Sequence, residues 1–176
     1  MQSAYCRHHS TVTIVSCVFS DIIMAANNGN MTGLSLLVFS AAFDTVSRAI
    51  LLQYLFVSHQ IASHALNWFG SYLSDRTQCI RYRGFTGPST SVQCGLPHGY
   101  VLSSVLFILH TSDISSLASK FGLFIQCYTN DTQLYFHIAS NHTVAAHDHL
   151  EEGIVAIYQW LSRNCLNMNL NKMEIL

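Results

Sequence analysis

Leu34-Ser35-Leu36-Leu37-Val38-Phe39 is a dense apolar run of strand length, and Ser40-Ala41-Ala42-Phe43-Asp44-Thr45-Val46 carries the chain out of it. A run of this kind suits a strand buried on both faces. Upstream, Ser10 or Thr11 can cap a helix with apolar positions at Val15, Val18, Phe19, Ile22, Ile23 and Ala26, and Asn27-Asn28-Gly29 ends it. Downstream, 46–57 is dense in Leu and Ile and reads as a helix. A second helix follows, with Ser63 as its cap and Ala65, Trp68, Phe69, Tyr72 and Leu73 inward. Residues 77–83 alternate as a strand, and Gly84 with Gly87-Pro88 supplies the turn. The loop Cys94-Gly95-Leu96-Pro97-His98-Gly99 opens a helix bearing Val101, Leu102, Val105, Leu106 and Leu109. Residues 123–138 read as a hairpin, two alternating runs around Thr129-Asn130-Asp131. Leu150, Ile154, Ile157 and Leu161 then mark an amphipathic helix. Strands and helices mix without a repeat, so the expected class is α+β, in one domain without a linker.

Composition narrows the function classes. Of 176 residues, 50% are hydrophobic and only 10% are charged, against about 25% in ordinary domains, which argues against disorder. Eight basic and nine acidic residues leave a formal charge of -1, and no electropositive face follows from that balance. Residues 49–74 lack Asp, Glu, Lys and Arg, but Gln53, His59, Gln60, His64 and Asn67 interrupt the roughly 20 apolar residues that a membrane span requires. The N-terminus has no apolar core after its basic residues, unlike a secretory signal. The expectation is a soluble intracellular domain, compartment unspecified. Its six scattered cysteines should then be reduced and mostly buried.

Several phrases carry a family likeness. They are Ser40-Ala41-Ala42-Phe43-Asp44-Thr45-Val46 with Ile50-Leu51-Leu52, Trp68-Phe69-Gly70-Ser71-Tyr72-Leu73-Ser74-Asp75-Arg76-Thr77-Gln78, Gly95-Leu96-Pro97-His98-Gly99, and Asp131-Thr132-Gln133-Leu134-Tyr135. In this order they resemble the reverse transcriptase of non-LTR (LINE-type) retrotransposons, over 2–176. The resemblance implies part of a polymerase right hand: a fingers remnant over 1–33 and mainly palm over 34–176. It also implies a missing thumb and no endonuclease domain ahead of it. RNA template, DNA primer and Mg²⁺ are the implied partners and cofactor. Phe43 takes the sugar-screening position, Pro97, His98 and Gly99 the nucleotide-positioning loop, and Lys172 the lysine motif near the end of the palm.

Polymerases of this kind use two metal ions roughly 3.5–4 Å apart, held by hard carboxylate oxygens. The family's first aspartate lies five residues before the sugar-screening aromatic, which is Val38 here. Its aromatic-Ala-Asp-Asp motif appears as Tyr128-Thr129-Asn130-Asp131, so the more important aspartate is Asn130. Asp131 alone is retained. The implied site is degenerate, with Mg²⁺ and nucleic-acid binding weak or lost. Other departures agree: Tyr5-Cys6-Arg7 displaces an arginine to leave Cys6 in its place, His98 replaces Gln, Tyr100 replaces Ser, and Ser103-Ser104 replaces Gly-Pro. The expected function is therefore a reverse-transcriptase-like domain with polymerase activity lost. An active RNA-directed DNA polymerase and a non-catalytic nucleic-acid or protein-binding module remain the alternatives.

Plainer readings stand beside these assignments. Phe43 can be an ordinary core aromatic, Asp131 a polar turn residue, and Lys172 a solvated lysine. His142, His147 and His149 suit a solvated helix start better than a metal cluster. Arg76, Arg81 and Arg83 read as a solvent-facing strand edge, with nucleic-acid contact as the other reading.

Overall fold

The computed structural model describes residues 4, 8–139 and 143–176, and the side chains of 143–147 and 149 are left aside. The expectations for Tyr5, Cys6, Arg7 and His142, and for the His147 and His149 side chains, fall outside what is described. The chain forms two compact units, residues 1–42 with 111–176, and residues 43–110.

The first unit is built on a five-stranded sheet. β1 (Asn30–Ser40) is its centre. It pairs antiparallel with β7 (Asp131–Ala139), β8 (Asn167–Met168) and β9 (Glu174–Ile175), while β6 (Phe124–Tyr128) closes on β7 as a hairpin. The apolar run thus became a strand longer than its hydrophobic stretch, because β7 supplies partners back to Asn30. Its alternation is sharper than burial on both faces. Ser35, Leu37 and Phe39 are buried, as are Thr132 and Leu134 on the neighbouring strand. Leu34, Leu36 and Val38, on the opposite face, are half-buried.

That second face is covered by α1 (Thr11–Asn27), whose first turn is capped by the Ser10 hydroxyl accepting from Thr13 N at 3.3 Å. Tyr135, 2% exposed, donates its hydroxyl to Asp21 Oδ2 at 2.6 Å and so ties helix to sheet. The inward residues of α1 are Ile14, Val18 and Ala25, while Val15, Phe19 and Ile23 are exposed. Of the apolar positions read from the sequence Val18 is buried, and with Asp21 as the helix's one charged residue periodicity selects no side. α5 (Asp113–Lys120) and α6 (Thr143–Arg163) pack together, with α6 also against β7. Leu150, Ile157 and Leu161 are buried as their spacing implied.

Burial and the Asp21 carboxylate together push the Tyr135 phenol up to about 12, from an ordinary value near 10. The neutral phenol is the form the fold favours. Its contribution is complete below pH 10 and lost as pH rises toward 12. Melting temperature should therefore fall along this alkaline limb, and Tyr135→Phe should flatten the limb. An identical slope in the two proteins would show that the Tyr135–Asp21 bond is not what titrates.

The second unit starts with α2 (Arg48–Val57), capped by Ser47, and α3 (Ser63–Leu73). α2 begins two residues later than expected, because Ser47 serves as the cap. In α3 Leu73 alone is buried. Trp68 is exposed and packs at the surface on Phe69 and Tyr72, with ring centroids 5.3 and 5.8 Å away, so the expected inward set is corrected. Residues 77–83 do not form one strand. β2 (Thr77–Gln78) pairs with β5 (Thr90–Ser91), and β3 (Arg81–Tyr82) with β4 (Phe85–Thr86), giving nested ribbons. Cys79 and Ile80 interrupt the strand, and the Ile80 carbonyl accepts from Gly87 N instead.

α4 (Val101–Thr111) follows the 94–99 loop and buries Ser103, Leu106, Phe107 and His110, while Val101 is exposed. It too is apolar all round, which hid its inner face from the sequence. Val101–Lys120 matches a membrane-crossing helix in length and composition, but it breaks at Ser112 into α4 and α5. Cysteine burial is corrected as well: Cys17, Cys79, Cys94 and Cys165 are exposed, and Cys127 is half-buried. Cys79 sits in the open ribbons and Cys165 in a turn of positive φ (57°) after α6, where no core reaches them.

Candidate active site

In the first unit the strand register brings the three implied metal positions together. Val38 lies directly across from Asp131, which is also paired with Tyr128 on β6. Side chains at such opposed positions start about 4.5–5.5 Å apart at Cβ. Asn130 sits in the hairpin turn beside them. Its backbone oxygen accepts from Phe39 N at 3.1 Å, and its Nδ2 donates to Phe39 O at 3.4 Å. The Thr129 hydroxyl lies 3.0 Å from Asn130 Oδ1 and 2.6 Å from Tyr128 O. Thr129 has a φ of 56°, an unusual setting for a β-branched residue. Asp131 is exposed and borders a recess of about 190 Å³ formed with Thr11, Ile14, Val15, Gln126 and Tyr128.

The donor set at these three positions is one carboxylate, one carboxamide and one isopropyl group. Among the described residues, no three His, Cys, Asp or Glu side chains converge on a metal-sized site. A two-metal centre needs several anionic oxygens to offset two dications. The residues present do not fit that centre. The segment carrying Lys172 starts beside the same strand, since Asn169 N donates to Val38 O at 2.8 Å. Lys172 itself is exposed at the end of a single 3₁₀ turn, Leu170–Lys172.

The nucleotide-loop positions belong to the second unit. Phe43 stacks on Phe107 at 4.6 Å between centroids and meets the His98 ring at 5.8 Å. The loop is laced to the segment after β1: Leu96 N donates to Phe43 O and Gly95 N to Val46 O, both at 2.8 Å. Gly95 (φ 86°) runs so close to Asp44 that an added Cβ would come within 2.8 Å of the Asp44 carbonyl oxygen. Pro97 and His98 follow, and Gly99 turns the chain with a φ of 79°.

These contacts decide how Phe43, Gly95 and His98 come together. The reverse transcriptase (RNA-dependent DNA polymerase) family matches residues 2–176. The chain belongs to the reverse transcriptase family. No curated protein matches the sequence. Among solved structures, apo telomerase from Candida tropicalis, truncated from its C-terminal domain, superposes with a TM-score of 0.70 at 12% identity, covering 96% of this chain and 35% of that one. Telomerase from Candida albicans, in complex with a fragment of telomeric RNA, superposes at 0.65 and 15% identity, covering 96% of this chain and 31% of that one. This reverse transcriptase chain thus spans about a third of those proteins, and at such identities the likeness is one of fold. The mixed helix–sheet architecture is that of part of a polymerase.

Two features of the reverse transcriptase chain escaped the sequence. Asp44 accepts a hydrogen bond through Oδ1 from His98 Nε2 at 2.6 Å. With both side chains well over half exposed, such a pair contributes little to stability. Their 54-residue separation left no local signal. The other is the setting of Arg48, which the sequence showed as one arginine among apolar residues: its Nε and Nη2 are shielded from solvent and have no hydrogen-bond acceptor among the described residues.

Proposed function

We propose that the chain is a reverse-transcriptase-like domain of non-LTR (LINE-type) retrotransposon origin, with 1–33 as a fingers remnant and 34–176 mainly palm, in which nucleotidyl transfer is lost. The observation that carries this reading is the pairing of Val38 with Asp131. A valine stands where the family places a carboxylate, on the strand directly opposite the one carboxylate that remains. Asn130 supplies an uncharged oxygen that already lies within hydrogen-bond reach of the Thr129 hydroxyl. The LINE-type origin rests on the ordered phrases from Ser40 to Tyr135. Asp131 is the retained catalytic position, Val38 and Asn130 the degenerate ones. Phe43, Pro97, His98, Gly99 and Lys172 are remnants of nucleotide contacts.

The residues suffice for little chemistry at this centre. Asp131 can accept a proton or attract a cation, and nothing beside it adds a second negative charge. Binding of RNA template and DNA primer would accordingly be weak. Purified protein given a primed RNA template, deoxynucleotides and Mg²⁺ or Mn²⁺ should extend no primer. Template-directed incorporation that disappears on Asp131→Ala would overturn this reading in favour of an active polymerase.

A further inference from the structure

The total charge of -1 conceals an uneven division. Residues 43–110 hold four arginines, Arg48, Arg76, Arg81 and Arg83, against two carboxylates, Asp44 and Asp75. Arg81 and Arg83 stand in the nested ribbons. From Arg76 to Ser112 the sequence contains no Asp or Glu, so the ribbons carry positive charge with no local offset.

The ribbons also stand clear of their unit's core, for every residue from 77 to 91 is exposed. β3 and β4 meet in the two-residue turn Arg83-Gly84, both at positive φ (48° and 84°), the pattern of a tight hairpin. Tyr82 pairs directly across from Phe85, so these two side chains share one face. The Gly87 N to Ile80 O hydrogen bond continues the same register, which puts Ile80 on that face as well. Ile80 and Phe85 are each 81% exposed and Tyr82 67%. Single exposed apolar residues are ordinary, but three gathered on one face of a hairpin tip mark an interaction site. Arg81 lies on the opposite face with Thr86, and the Arg83 guanidinium sits 5.3 Å from the Tyr82 ring centroid.

We propose that this hairpin tip is a peripheral membrane contact that inserts Ile80, Tyr82 and Phe85 into the interface of an anionic lipid surface, with Arg81 and Arg83 on the headgroups. Tyrosine rings settle at headgroup level, and arginines lay their apolar stems along the boundary while the charge stays outside. Burial of the apolar face then adds to the attraction between basic side chains and anionic lipid. Strands of two residues reach into the interface and are far too short to span the bilayer. A lipid surface fits this tip better than a macromolecule does. Nucleobases stack on open ring faces, whereas Arg83 already covers one face of Tyr82, and Ile80 has no ring. A folded partner needs a broad complementary surface, which a tip of this width does not offer. The contact uses neither the metal positions nor the 94–99 loop, so it stands whether or not the polymerase reading holds.

The test is flotation of the full chain with phosphatidylcholine vesicles, with and without phosphatidylserine. Binding is expected to the phosphatidylserine vesicles and should weaken as salt is added. Arg81→Gln and Arg83→Gln together should weaken it about 30-fold, about fivefold for each arginine, and remove the preference for phosphatidylserine. Ile80→Ser and Phe85→Ser should each weaken it about 10-fold or more. Melting temperatures check that these exposed substitutions leave the fold intact. Phe85→Trp keeps the apolar tip and gives a second readout, since brominated lipid should quench its fluorescence beyond that of the wild type. No flotation with phosphatidylserine vesicles, flotation unchanged in the tip variants, or no added quenching would overturn the contact. So would a short single-stranded oligonucleotide that binds the wild type, fails to bind the same tip variants and finds no competition from vesicles; that result would assign the tip to nucleic acid. Primer extension is measured separately and its outcome leaves vesicle binding unaffected, so the two proposals fail separately.

Discussion

A chain carrying Val38→Asp and Asn130→Asp together is expected to become metal-dependent in its stability, and the wild type is expected to show no such dependence. The first change places a carboxylate on β1 directly across from Asp131. The second places another in the turn held to Phe39. Without a cation, like charges at opposed strand positions repel, and the half-buried Val38 site adds a desolvation cost. Asn130→Asp also removes the Nδ2 donor from Phe39 O. The metal-free double variant should therefore be less stable than the wild type by about 1–3 kcal/mol, within the usual range for introducing unpaired charge. Three carboxylates at adjoining backbone positions are, however, a donor set for hard dications. A metal at a hundred times its dissociation constant should return about 2.7 kcal/mol. Urea midpoints with and without Mg²⁺ or Mn²⁺ measure both effects. Equal metal stabilisation of the wild type and the double variant would show that the wild-type site already binds. Primer extension by the double variant would show that the two added carboxylates suffice for nucleotidyl transfer.

The sequence carried the sheet well because strand signals here are local. The apolar run at 34–39, the alternation in 123–138 and the turn at 129–130 each specify their own geometry. Pairing then follows, since a one-residue slip would turn Leu37 and Leu134 out of the core. Helix faces were poorly legible for the opposite reason. α1 and α4 are apolar on every side, so only the tertiary neighbours of Ile14 or Phe107 determine which residues are buried. Counting from Phe43 and Tyr128 gave the implied metal positions, and the register sets Val38 across from Asp131. The Asp44–His98 pair and the unpaired donors of Arg48 could not be read. The first depends on a loop folding back across 54 positions and the second on tertiary packing around α2, and no spacing rule reaches either.

Gly95→Ala is the single substitution expected to do most damage to the nucleotide-loop region, and Gly99→Ala supplies its control. Both glycines have positive φ, 86° and 79°, so each alanine bears the left-handed backbone strain of about 1–2 kcal/mol. At Gly99 nothing lies within 4 Å of the added Cβ, and the cost should end there. At Gly95 the new methyl group meets the Asp44 carbonyl oxygen at 2.8 Å and the Asp44 Cα at 3.0 Å. Those are backbone atoms that cannot rotate away. Relief requires moving the loop, which stretches the Leu96–Phe43 and Gly95–Val46 hydrogen bonds, each worth about 1 kcal/mol net. Gly95→Ala should therefore cost about 3–4 kcal/mol, roughly twice the cost of Gly99→Ala or more. Urea denaturation of the two variants side by side reads the difference. Equal costs would mean that the loop lies farther from Asp44 than described, and that the Phe43–His98 contact is not held by the Leu96–Phe43 and Gly95–Val46 hydrogen bonds. A larger cost at Gly95 would place the tight approach of the 94–99 loop to the post-β1 segment among the determinants of this half of the site, independent of any metal chemistry.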